Sequence, residues 1–235
     1  MKPISLAVVA GLLCAVGAAP SLAADTTDFQ QPAASPFDIA FGVGLTTNYI
    51  SRGSTQSNDE PAIDGYMEAT YGIAYAGVWA SRVNIAPDSV EVDVYGGIRP
   101  EFGQLSLDLG YARYIYDSSG DCCGEFYAKP SFAVTDAFSV GTEVYWDPEL
   151  DTNWAAANAE FSGLPYEITV SGSVGTDFGT LALGSDKVAW DAGVSRSFLD
   201  DTVTLDLRYY DSNMDPARVA ARLAFDSSFS ALMKN

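Results

Sequence analysis

Histidine is absent from the 235 residues, and bases are scarce: 12 Lys and Arg stand against 31 Asp and Glu, a formal net charge of −19. Without imidazole there is no Ser-His or Cys-His nucleophile pair, no histidine metal site and no histidine pH switch. So few cations do not suit nucleic acid, whose phosphates are bound by clustered Lys and Arg that displace counterions. Cysteine is almost missing: Cys14, Cys122 and Cys123 are the three. Adjacent cysteines cannot staple distant segments as a secreted disulfide framework does. A vicinal bridge strains ordinary disulfide geometry, and a metal would need further ligands at suitable spacing. Cys122 and Cys123 therefore read as a local feature of a turn, Asp117 to Gly124, with no essential chemistry.

Long apolar runs are confined to the N-terminus. Lys2, the run Ile4 to Ala19 and the small-residue site Ser21-Leu22-Ala23 predict a cleaved secretory signal over 1–23. The run is shorter than the roughly 20 residues of a spanning helix, and Cys14 lacks the setting of a lipid-anchor site. Cleavage would remove Lys2 and no acid, leaving 31 acids against 11 bases, or −20. Residues 24–36, rich in Asp, Thr, Gln, Pro and Ala, read as a short periplasmic leader.

What the rest contains is alternation. From Phe37 to Tyr49 the odd positions are Phe37, Ile39, Phe41, Val43 and Leu45, and the even ones Asp38, Ala40, Gly42, Gly44 and Thr46. That is a strand with one greasy and one wet face. The pattern returns along the chain, and no 3.6-residue period competes with it. Twelve strands are predicted, at 37–51, 61–71, 73–83, 90–101, 104–116, 124–134, 137–147, 152–161, 166–176, 188–198, 202–211 and 217–229. Ten or fourteen would follow from one misread hairpin. Tight connections near Gly72, Gly103, Asp136, Gly163 to Pro165 and Leu199 to Asp201 alternate with longer ones at 52–60, 84–89, 117–123, 148–151, 177–187 and 212–216. Short turns at one end and longer loops at the other are the layout of an all-β, antiparallel up-and-down outer-membrane barrel over 37–229, with 230–235 as a tail. A soluble β-sandwich also alternates, but expects no such end-to-end difference and points its apolar face inward. Aromatics at strand ends, Phe37, Tyr49, Tyr71, Tyr116, Trp146, Trp154, Tyr166, Phe198 and Tyr209, fit interface girdles. The strands 73–83 and 152–161 are the weakest, with few large apolar residues on their outward faces.

Asn48-Tyr49-Ile50-Ser51-Arg52-Gly53-Ser54-Thr55-Gln56, Pro61-Ala62, Tyr75-Ala76-Gly77-Val78-Trp79-Ala80-Ser81 and Glu91-Val92-Asp93-Val94-Tyr95-Gly96-Gly97 resemble the TorF-type family of Gram-negative bacteria, whose members are presumed porins. The resemblance spans essentially the chain beyond the signal and is most specific in residues 48 to 97. It implies an outer-membrane barrel and carries over no functional residue or substrate.

Twelve strands spaced ~4.8 Å and tilted ~40° close at a backbone radius of roughly 12 Å, narrow enough for side chains to control passage. Predicted inward acids, Asp64, Glu68, Glu91, Asp93, Asp108, Glu125, Glu143, Asp147, Glu160, Glu167, Asp191 and Asp206, outnumber the bases Arg99, Lys129, Arg208, Arg218 and Arg222. Hairpin registers place Arg99 opposite Asp108, Lys129 opposite Glu143, and Asp206 opposite Arg222, three structural pairs. Glu68, Glu91, Asp93 and Glu160 are the unpaired remainder, which either sets cation preference or is a solvated wall. Arg52 either bends inward as a gate or anion contact, or holds the first long loop against Asp59 and Glu60; the loop role is the expectation.

The function these features support is passive diffusion of ions or small hydrophilic solutes. The alternative is a non-conducting barrel plugged by Tyr66, Tyr95, Tyr114, Tyr116, Tyr127, Tyr145 and Tyr210. Expected partners are outer-membrane lipid, the barrel-assembly machinery and the solutes, with a monomer or an oligomer both open. No cofactor, metal or enzymatic activity is expected, since paired acids in an acidic lumen lack specificity. The outer acids show no calcium-loop spacing, and Gly175 to Gly184 lacks the helix and Lys of a phosphate cradle.

Overall fold

A computed structural model describes residues 37–178 and 187–233. The expected signal peptide and leader, and part of the loop after residue 178, lie outside the described residues. Twelve long strands follow one another: β1 (Phe37–Thr46), β2 (Ala62–Tyr71), β3 (Ala74–Ile85), β4 (Asp88–Ile98), β5 (Leu105–Tyr116), β6 (Gly120–Thr135), β7 (Phe138–Asp147), β8 (Thr152–Phe161), β9 (Ile168–Phe178), β10 (Val188–Phe198), β11 (Val203–Ser212) and β12 (Arg218–Ser228). Each pairs antiparallel with its sequence neighbours, and β12 pairs with β1 from Ala40↔Ser228 to Thr46↔Arg222, which closes the sheet. The short segment Glu101–Phe102 continues β4 past Pro100 and also pairs with β5. A closed sheet has no free edge to aggregate.

The pleat sorts side chains as the alternation predicts, and the sorting is inverted relative to a soluble protein. Val43, Leu45, Ile63, Met67, Val94, Leu207 and Val219 are exposed, whereas Asp64, Glu68, Asp93, Asp108, Asp206 and Arg208 are buried. Moving one such apolar side chain from water to hydrocarbon gains about 1.5–3 kcal/mol, so this exterior suits lipid and the wet face belongs inside. The two weak strands sit in regular register, β3 from Ala74↔Tyr71 to Ser81↔Asp64 and β8 from Thr152↔Asp147 to Phe161↔Phe138.

Several local expectations fail for identifiable reasons. β3 and β4 stay paired out to Ile85↔Asp88, leaving only Ala86-Pro87 as a turn, and β6 starts at Gly120 opposite Tyr116. The wall is therefore taller there, and the expected long loops at 84–89 and 117–123 shrink. Cys122 and Cys123 are consequently on a strand, joined to each other by a disulfide. Tyr166 and Glu167 lie in a 3₁₀ turn with positive φ, both exposed, so Glu167 does not face the lumen. β1 ends at Thr46, and a separate hairpin, Ile50–Ser51 with Ser54–Thr55, follows it. The tail forms a short helix, α1 (Phe229–Leu232), capped by Ser228. It is tied to the closing seam by Ser230 N donating to Asp38 Oδ1 at 3.0 Å and by Phe229 against Phe41 at 5.9 Å.

Candidate functional site

Three arginines organise the inward face. Arg99 donates both terminal nitrogens to Glu68, at 2.5 and 3.0 Å, and its Nε to Asp108 at 3.2 Å, while its guanidinium lies 3.6 Å above the Tyr75 ring. Tyr75 in turn hydrogen-bonds Asp108 and Tyr127. Arg208 joins Asp191, Asp206 at 3.2 Å and Ser171 at 2.7 Å. Arg222 forks onto Asp64. The bidentate pairings of Arg99 with Glu68 and Arg222 with Asp64 add geometric specificity to the charge-assisted contact.

These large side chains lie along the wall because glycines face them on the neighbouring strand. A Cβ on Gly42 would stand 2.4 Å from the Tyr66 ring, one on Gly77 2.6 Å from Tyr95, one on Gly175 2.4 Å from Trp154, and one on Gly44 2.3 Å from Arg222. The small residue opposite each large one is what lets a narrow barrel hold this many rings and guanidinia. Tyr66, Tyr95, Tyr114, Tyr127, Tyr145 and Tyr210 are all buried inside, joined by Tyr75 and Trp154.

The mouth opposite the termini is crossed by the first loop. Its tip turns at Arg52 (φ 48) and Gly53 (φ 79), and Ile50, fully buried, packs with Tyr210 and Ala220. A Cβ on Gly53 would stand 2.8 Å from that of Ala189, so the turn seats on β10 only as glycine. From this tip Arg52 reaches across to β6, donating to both Glu125 oxygens at 2.8 and 2.7 Å, with its guanidinium 4.7 Å from the Tyr145 ring centre and 5.6 Å from that of Trp154. The loop is tied at its flanks by Arg218 to Asp59 (2.5 Å), Ser54 to Asp215 (2.8 Å) and Arg82 to Glu60 (2.6 Å). The Arg218 hydrogen bond, opposed by slight desolvation and joined by one from Asn48, holds the Asp59 carboxyl below its usual range. Beside the strap opens a cavity of about 230 Å³, whose lining includes Tyr49, Arg52, Glu91, Tyr116, Glu125 and Asp147.

A family model covers residues 30–233, nearly the whole barrel and its approach. The chain belongs to the Gcw_chp family. That family is described as bacterial proteins of unknown function. No curated protein matches the chain. Among solved structures, the Gcw_chp barrel is similar to the KdgM porin, with 13% identity, a TM-score of 0.58, and coverage of 82% of this chain and 99% of that one. It is also similar to the KdgM porin in complex with disordered oligogalacturonate (13%, TM-score 0.55, 82% and 99%) and to the NanC porin (10%, TM-score 0.55, 80% and 98%). At such identities the likeness is one of fold: a closed twelve-strand antiparallel barrel.

Within this Gcw_chp barrel several of the expected lumen residues fall in different company from that read off the hairpins. Arg99 does contact Asp108, but Glu68, expected among the unpaired acids, is its bidentate partner. Asp206 and Arg222 are register partners whose side chains turn elsewhere, to Arg208 and Asp64. Lys129 Nζ lies 4.9 and 5.3 Å from the ring centres of Tyr127 and Tyr145, and Glu143 is half-buried. Glu91 accepts from Tyr116 at 3.0 Å and Tyr49 at 3.3 Å, and Glu160 is buried on β8. Arg52 does not hold the loop through Asp59 and Glu60, which are occupied by Arg218 and Arg82; it points into the mouth. Tyr49, Tyr116 and Trp154 turn inward rather than joining a girdle, whereas Phe37, Tyr71, Trp146 and Phe198 are exposed outside. For Trp154 the signal was in the sequence, since it shares the even-numbered face of β8 with Ala156 and Glu160.

Proposed function

We propose that this chain is a narrow, porin-like channel of the outer membrane that passes ions and small hydrophilic solutes and prefers cations. The observation that carries the proposal is the inverted barrel, apolar outside and lined inside by acids that outnumber the bases set among them. A charged wall around a low-dielectric bore concentrates counterions of the opposite sign. The fold shared with the KdgM and NanC porins and the TorF-type stretches between residues 48 and 97 support the same class, and an expected signal peptide is consistent with export. Oligogalacturonate is a polyanion, and the carboxylates here disfavour such a solute. The solute we infer is cationic or neutral, and no catalytic step is assigned to the lumen.

One observation favours a second reading, a non-conducting barrel: the inward tyrosines are buried and Glu68 has no exposed surface. Conductance of the refolded protein in a planar bilayer under a KCl gradient separates the two. Reproducible steps with a reversal potential on the potassium side support the channel. A folded, heat-modifiable barrel giving no steps at any voltage replaces it with the plugged reading.

A further inference from the structure

Nearly every inward carboxylate near the mouth has a partner. Glu125 is held by Arg52 and by Tyr114 at 2.8 Å, Glu91 by Tyr49 and Tyr116, and Asp147 accepts the backbone amides of Glu149 (2.7 Å) and Leu150 (3.0 Å). Asp93 is different. It is 2% exposed, and among the described residues its buried Oδ1 has no hydrogen-bond partner and no basic side chain pairs with it. It sits one inward step below Glu91 on β4, opposite Tyr114 on β5, and Glu91 and Glu125 both act on it as like charges. Tyr114 stands between Asp93 and Glu125, pairing with Asp93 in register and donating to Glu125 at 2.8 Å, while the small Ala112 one step further down β5 pairs with Tyr95 and Glu125. Glu91, Tyr114 and Glu125 also line the cavity beside the loop strap, so Asp93 lies directly beneath its floor.

A buried carboxylate anion flanked by two others is costly unless a proton neutralises it or a positive charge joins it. Arg52 is committed by both terminal nitrogens to Glu125. Lys129 is held lower, over Tyr127 and Tyr145. We propose that Asp93, with Glu91 and Glu125 above it, forms a binding station for a monovalent cation, either an alkali-metal ion or a primary ammonium, entered from the outer cavity. The class follows from the geometry. Among the described residues no three acidic or cysteine side chains stand close enough to share one metal ion, which does not fit a calcium ion gathering six to eight oxygens. A monovalent ion retaining part of its water, or an ammonium bringing its own donors, needs only charge and one or two acceptors. Tyr49, Tyr114 and Tyr116 add ring faces and phenol oxygens suited to an ammonium. The station rests on the channel reading and locates the selectivity that reading requires.

The test compares wild type with Asp93→Asn in detergent, by thermal unfolding in potassium chloride, in methylammonium chloride and in N-methyl-D-glucamine chloride at equal ionic strength. Potassium or methylammonium should raise the midpoint of wild type above that in N-methyl-D-glucamine, and the rise should vanish in Asp93→Asn. The size of potassium's rise against methylammonium's distinguishes the two cation types. In bilayers the variant should need at least about tenfold more potassium for half-maximal conductance, the factor lost with one contact to a charged group, and its reversal potential should move toward zero. An equal rise in both proteins, or channels of unchanged reversal potential, overturns the station while leaving the channel standing. Absence of steps from wild type overturns the channel, and the melting shift still scores the station. Should Asp93→Asn not refold, Glu91→Gln, whose amide oxygen accepts from one of Tyr49 and Tyr116 while its NH2 group donates to the other, should weaken the same shift; an undiminished shift there overturns the proposal.

Discussion

Replacing Arg52 with alanine removes the one side chain that reaches from the loop strap across the mouth to β6. Two charge-assisted hydrogen bonds to Glu125, at 2.8 and 2.7 Å, are lost, together with a guanidinium 4.7 Å from the Tyr145 ring. Breaking a fully buried pair costs about 3–5 kcal/mol and an exposed one about 0–1. Arg52 is 29% exposed and Glu125 8%, so the pair falls between, at about 2 kcal/mol. The ring contact adds about 0.5–1 kcal/mol. Together this favours the open strap by roughly 60- to 140-fold, at tenfold per 1.4 kcal/mol. The barrel wall loses no backbone hydrogen bond, and Arg218 to Asp59 and Ser54 to Asp215 still tether the flanks.

Single-channel recording of Arg52→Ala should therefore show larger mean conductance and more frequent excursions to a high-current level, with a stronger cation preference because Glu125 is unmasked. Arg52→Lys keeps the charge but loses the fork, so it should raise the excursions while leaving the reversal potential near that of wild type. The melting temperature of the barrel should barely move in either. Identical current levels, noise and reversal potential in Arg52→Ala would refute the strap as the constriction.

Three other outcomes follow from the same structure. Leu207→Arg, on the outward face at mid-strand, should cost about 2–4 kcal/mol of folding free energy in lipid vesicles; a near-neutral result in urea titration would contradict a lipid-facing wall. Gly97→Ala would place a Cβ 2.3 Å from the Leu109 carbonyl oxygen and should destabilise by about 1–3 kcal/mol, read as a lower heat-modification temperature. The Asp59 carboxyl is depressed, chiefly by its hydrogen bond from Arg218, so its contribution to loop anchoring is complete above the ordinary carboxylate pKa and is lost as pH falls through the lower folded value. Protease access to the loop should stay flat from neutral pH down to about 4 and rise only in stronger acid; a rise near pH 6 would contradict that anchor.

The strands were legible because a barrel imposes one rule, period two, on every residue that touches the wall. Even β8, with only Ala155, Ala157, Ala159 and Phe161 outward, sits where the alternation put it. What the alternation did not carry was partner choice inside. Hairpin arithmetic compares adjacent strands at one level, so it found Arg99 beside Asp108 but missed Glu68, two strands away across Tyr75. It set Asp206 against Arg222, correct as register, while Asp206 turns to Arg208 at 3.2 Å and Arg222 forks onto Asp64. Arginine is long and a twelve-strand bore is narrow, so reach across the lumen decides pairing where backbone register does not. The same reach hid the role of Arg52, whose partner lies 73 residues away in sequence.

Those reaches bear on selectivity as well as stability. Each inward arginine removes one or two carboxylates from the pool that a permeating ion could meet: Arg99 takes Glu68 and Asp108, Arg208 takes Asp191 and Asp206, Arg222 takes Asp64. A simple count of acids therefore overstates the field along most of the bore, and the wall behind those arginines acts mainly as a stiff, neutralised lining. Near the mouth, Glu91 and Asp93 have no arginine of their own and stand beside Arg52, which sits on the loop strap. An arginine-paired bore beneath a charged mouth with a movable counter-charge places discrimination chiefly at the entrance. Substitutions among the Arg99, Arg208 and Arg222 clusters should then act on folding, and those at Arg52, Glu91 and Asp93 on current.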